Sequence, residues 1–68
     1  MKTLKQIEND PRVSQVEKNS DYDPDYEDSN SKYFLWIKDG YIFEDGTHMA
    51  CANTVAELNE LLKEIEKE

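Results

Sequence analysis

The chain predicts an α+β fold: a short N-terminal helix, a small antiparallel meander sheet built on an Asp-Gly hairpin, and a C-terminal amphipathic helix packed on one sheet face. Three observations predict it. Five of the seven aromatic residues fall between Tyr33 and Phe43, the pair Asp39-Gly40 divides two β-rich runs, and the closing residues place apolar side chains at helical spacing. With 68 residues the expected organisation is one domain, 1–68, near the size below which a chain struggles to bury a sufficient core.

The first helix is marked by Thr3 followed three residues later by Gln6, the form of a capping box, with Leu4 and Ile7 on one face. Asn9, Asp10 and Pro11 bring it to an end. Arg12 to Lys18 sets Val13 and Val16 among polar residues and reads as a short edge strand, bulged or regular. Residues 19–31, NSDYDPDYEDSNS, hold five acidic residues, no basic ones and no apolar period, so an exposed loop is expected.

Tyr33 to Lys38 and Tyr41 to Phe43 flank Asp39-Gly40, and a type I′ turn there would pair the two runs as a hairpin. Asp45-Gly46 offers a second turn, with Thr47 to Ala52 as a third meander strand. This pairing sorts side chains into two faces. Tyr33, Leu35, Ile37 and Ile42 share one with Met49 and Cys51, while Phe34, Trp36, Tyr41 and Phe43 share the other with His48 and Ala50. Both faces are apolar, so something must cover each. Thr54 and Glu57 form a second capping box, and Val55, Leu58, Leu61, Leu62 and Ile65 make the buried stripe of the closing helix.

Sixteen acidic residues against eight basic ones leave a net charge of −8. Such a chain repels nucleic acid and anionic membrane, so a charged partner is expected to be basic. Cys51 is the single cysteine, which excludes an internal disulfide. With no charged-then-apolar leader and no apolar run near ~18 residues, the expected compartment is the cytoplasm of a host cell.

The chemical inventory is sparse. Asp21, Asp23 and Asp25 have the 1-3-5 spacing of a calcium loop, but Tyr26 stands where the sharp-turn glycine belongs and Lys32 where the bidentate glutamate belongs. His48 and Cys51 are too few for structural zinc and lack an orienting third group for nucleophilic catalysis. Gly40 and Gly46 both serve turns, which leaves no glycine-rich phosphate loop. The expectation is a binding protein without enzymatic activity, cofactor or metal. In an extended acidic loop the carboxylates of alternate residues would lie ~7 Å apart, comparable to successive phosphates on a nucleic-acid strand. Tyr22 and Tyr26 could stack on guanidinium groups of a basic surface.

Asn9-Asp10-Pro11-Arg12-Val13, the segment Phe34 to Tyr41, Thr47-His48, Thr54-Val55 and the closing leucine-rich helix together resemble small uncharacterised proteins encoded by phages and prophages. That resemblance covers most of the chain and implies counter-defence work, such as anti-CRISPR or anti-restriction inhibition. The expected partner is then a basic host protein, such as a nucleic-acid-binding effector complex, engaged by Asp21, Tyr22, Asp23, Asp25, Tyr26, Glu27 and Asp28, with Phe34, Trp36 and Phe43 adding contact area. The rival expectations are an assembly protein that forms a homodimer through the aromatic sheet face, and an acidic regulator of a basic toxin or transcription factor.

Overall fold

A computed structural model describes residues 1–25 and 30–68. The chain is α+β, with α1 at Leu4–Glu8, β1 at Val13–Lys18, β2 at Tyr33–Ile37, β3 at Tyr41–Phe43, β4 at Met49–Ala52, α2 at Val55–Leu62 and β5 at Ile65–Lys67. Among the described residues no helix is long and apolar enough to cross a membrane. β2 is the centre of a three-stranded antiparallel sheet in the order β1-β2-β4, and β3 and β5 form a separate antiparallel ribbon.

Local chemistry explains the helix starts. Thr3 accepts the Gln6 N–H at 3.3 Å and the Gln6 side chain accepts the Thr3 N–H at 2.8 Å, which closes the expected capping box. At α2, Thr54 accepts the Glu57 N–H at 3.1 Å, while the Glu57 carboxylate reaches one residue further back to the Asn53 N–H at 2.7 Å. Each helix thereby satisfies backbone donors that no helical carbonyl can reach.

β1 is the bulged alternative of the edge strand. Val13 opposes Ile37 but Gln15 opposes Trp36, so Ser14 is the extra residue. The bulge brings Val13 and Val16 onto the same side as Leu35 and Ile37.

The Asp39-Gly40 hairpin does not form. Gly40 has φ 92° but among the described residues, Asp39 included, no non-glycine has positive φ, so Asp39 lacks the conformation that a type I′ turn demands. The Tyr41 N–H still closes a turn on the Lys38 carbonyl at 3.3 Å, and the chain then leaves the sheet. β3 pairs with β5, and β4 returns to take the place beside β2. Gly46, at φ 87°, completes the second turn, where Phe43 donates to the Thr47 carbonyl and accepts from the Gly46 N–H. The pairing of β4 with β2 also redistributes the faces. Ala50 opposes Leu35, whereas Met49 and Cys51 oppose Trp36 and Phe34.

The closing helix is shorter than its apolar stripe suggests. It ends at Leu62, whose carbonyl accepts from Arg12 Nη1 at 3.2 Å, and Ile65 continues in β5 opposite Phe43. One core results, formed by Ile7, Val13, Leu35, Ile37, Phe43, Ala52, Leu58 and Leu62. Burying Leu35 or Leu58 contributes about 2 kcal/mol each. Both helices and the ribbon contribute to this core, and among the described residues no helix or strand packs on the outer face of the sheet.

Candidate binding surface

Two acidic regions and one apolar face define the surface. The first acidic region is buried. Pro11 and the Val13 N–H to Asp10 carbonyl bond (3.0 Å) turn the chain between α1 and β1, which drives the Asp10 side chain inward. One oxygen, Oδ1, accepts from the Arg12 N–H at 2.9 Å and from Nε at 3.0 Å; Oδ2 accepts from Arg12 Nη2 at 3.0 Å and from Lys2 Nζ. Chiefly through the Arg12 guanidinium, this cradle holds the Asp10 carboxyl well below the usual carboxylate range against the opposing effect of burial.

Arg12 also reaches the end of α2, and Asn59 clasps the Lys2 backbone with two bonds, at 2.8 and 2.9 Å. An open cleft of about 420 Å³ lies here, lined by Met1, Lys2, Arg12, Asn59, Leu62 and Lys63. Lys2 and Arg12 already serve Asp10, and Lys63 pairs with Glu60 at 3.2 Å. The arrangement ties the N-terminal segment to α2. In the sequence Asp10 and Pro11 mark the end of a helix, and the signal for this tie is an acid two residues before an arginine across a proline.

The second acidic region is the loop between β1 and β2. At its root Asn19 donates to the Lys32 and Ser31 carbonyls, both at 2.9 Å, and the Lys32 N–H donates to Asn53 Oδ1 at 3.1 Å. Asn19 Oδ1 accepts the Asp21 N–H and Asp23 Oδ1 accepts the Asp25 N–H, each at 3.0 Å, so short side chains shape the loop backbone. Asp21, Tyr22 and Asp25 are exposed and Asp23 is half-buried. Tyr26, Glu27 and Asp28 lie outside the described residues. Among the described residues no cation pairs with the loop carboxylates. Lys32, at the end of the loop, instead places its ammonium 5.3 Å from the centre of the Tyr22 ring.

On the outer sheet face the cross-strand rows are Gln15, Trp36, Met49 and Glu17, Phe34, Cys51. Trp36 is 39% exposed and Phe34 half-buried. Phe43, expected to add contact area, is only 3% exposed. The departure of β3 from the sheet turns its ring into the core against Ile65. His48 pairs with Glu68 at 3.4 Å, away from the exposed Cys51 on the outer face. Among the described residues no group of three or more His, Cys, Asp or Glu side chains is placed to hold a metal ion. No protein-family model matches the chain, and no curated protein or solved structure does.

Proposed function

We propose that this chain is a non-catalytic binding protein whose acidic loop occupies a basic, nucleic-acid-binding surface of a host protein, as an inhibitor of the anti-CRISPR or anti-restriction kind would. The observation that carries this reading is that, among the described residues, no cation pairs with the loop carboxylates Asp21, Asp23 and Asp25. Asp21, Asp23 and Asp25 gain little from the fold and are available to lysine or arginine on another molecule. Glu27 and Asp28 continue the same charge run, and Tyr22, Tyr26, Trp36 and Phe34 supply contact area.

The test is affinity capture from a bacterial lysate on the immobilised chain, followed by stepwise NaCl and by competition with duplex DNA and RNA. The expected partner is a nucleic-acid-binding protein released by salt and displaced by nucleic acid, because exposed charge is screened over ~8 Å at physiological ionic strength. A partner that resists salt and keeps its nucleic acid while bound contradicts the reading.

The exposed Trp36 on an uncovered sheet face favours a second reading, a homodimer through that face. Sedimentation separates the two. A dimer lost in Trp36→Ala supports the second reading, and a monomer in both proteins supports the first.

A further inference from the structure

The two edges of the three-stranded sheet are built differently. β1, one edge, has a bulge and carries Glu17 and Lys18, devices that discourage a further strand. β4, the other edge, has none of these. It lies within Thr47 to Ala56, ten consecutive residues without Asp, Glu, Lys or Arg, the longest such run in a chain that is 35% charged.

The backbone of β4 is half-used. The Ile37 N–H donates to the His48 carbonyl at 3.1 Å, and the same register sets Leu35 opposite Ala50 and Tyr33 opposite Ala52. Those residues turn their N–H and C=O groups toward β2, so Met49 and Cys51 turn theirs away from it. Among the described residues β4 has no second neighbouring strand, and Cys51 is exposed.

Acidic groups stand at both ends of this uncharged edge. At the Asn53 end lies Glu57, bonded to the Asn53 N–H, while the Asn53 side chain accepts the Lys32 N–H at the root of the loop. At the Thr47 end lie Asp45, bonded to Thr47, and Glu68, against His48. Lys32, near the first end, is turned onto Tyr22.

We propose that β4 is an acceptor edge for an extended segment of a basic protein, with uncharged residues along Met49 to Ala52 and lysine or arginine at both flanks. The segment adds a fourth strand to the sheet through the Met49 and Cys51 backbone groups, and its alternate side chains extend the outer face beyond Met49 and Cys51. A second copy of this chain fits less well. Two-fold antiparallel pairing would set the Asn53 end of one edge beside the Thr47 end of the other, acids against acids. The inference rests on the reading of the partner as basic, and adds where and how that partner docks.

The experiment uses the full chain and a synthetic peptide of alternating Val and Thr with Lys-Arg pairs at both ends, alongside the same peptide with Glu-Glu ends. Amide hydrogen exchange is followed residue by residue. The expected result is saturable binding of the basic peptide alone, with new protection at the Met49 and Cys51 amides. Cys51→Lys should weaken it about fivefold, as one like charge at the edge would, and Cys51→Glu should not. Absence of binding, protection confined to the loop, or unchanged affinity in Cys51→Lys would each overturn the proposal. So would a dimer in sedimentation without peptide that Cys51→Lys dissolves, since the edge would then belong to a second copy. Neutralising Asp21, Asp23 and Asp25 to Asn separates the two readings. Full affinity with edge protection intact would contradict the role of the loop and leave the acceptor edge standing.

Discussion

Asp10 and the loop carboxylates Asp21 and Asp25 carry the same charge in opposite settings. Asp10 is buried and receives four hydrogen bonds from Arg12 and Lys2, and the same arginine reaches across to the end of α2. Asp21 and Asp25 are exposed, and among the described residues no cation is paired with them. The first carboxylate is a structural tie, because removing it leaves a partly buried guanidinium, itself bonded to the end of α2, without its acceptor. The others are held by short local turns and gain almost nothing from the fold. An acidic composition therefore hides two settings of charge, and only the second leaves carboxylates exposed and without a cation among the described residues.

The comparison is broken most directly at Asp10. Asp10→Ala should cost about 3 kcal/mol, read as a lower urea midpoint, since it leaves Arg12 and Lys2 without their acceptor. A loss below 0.5 kcal/mol, the range of ordinary surface changes, would place Asp10 in the same class as the loop. Arg12→Lys comes next, at about 1.5 kcal/mol, because an ammonium cannot reproduce the paired guanidinium contacts while also reaching Leu62.

Acid sharpens the same contrast. The Asp10 carboxyl is held below its ordinary value of 3.8, so the unfolded chain binds the proton more readily than the folded one. The stability contributed by Asp10 is fully present above that ordinary value and is lost as the pH falls below it toward the depressed folded one. Unfolding midpoints measured from pH 6 down to pH 2 should fall more steeply for the wild type than for Asp10→Asn. Parallel curves would remove Asp10 as the source. The smallest effect belongs to Lys32→Ala, which removes the contact over Tyr22 and should cost no more than about 0.5 kcal/mol.

What could be read from the sequence divides along the same line between local and distant causes. Thr3 with Gln6, the Thr54 cap on the Glu57 N–H, the turn at Gly46 and the alternation of Tyr33 to Ile37 are settled within a few residues and appear in the structure. The second capping box is only half formed, because the Glu57 carboxylate bonds the Asn53 N–H in place of the Thr54 N–H. The partner of β2 is not settled locally, since Asp39-Gly40 allows either a hairpin or a departure, and the return of β4 decides between them. Ile65 fits the helical stripe by spacing, yet Arg12, fifty residues earlier, bonds the Leu62 carbonyl and β3 offers the next residues an edge. Of the described loop residues Asp21, Tyr22 and Asp25 are exposed, and the acidity of the loop was legible from composition alone. The role of Phe43 was not, because its exposure depends on which sheet β3 joins.

The central claim is that the loop charges serve a partner and not the fold, and one paired measurement tests it. Neutralising Asp21, Asp23, Asp25, Glu27 and Asp28 together, to Asn or Gln, should leave the urea midpoint within about 0.5 kcal/mol of wild type while abolishing capture of the basic partner from lysate. A variant that unfolds at the wild-type midpoint and still captures the same partner would contradict the account.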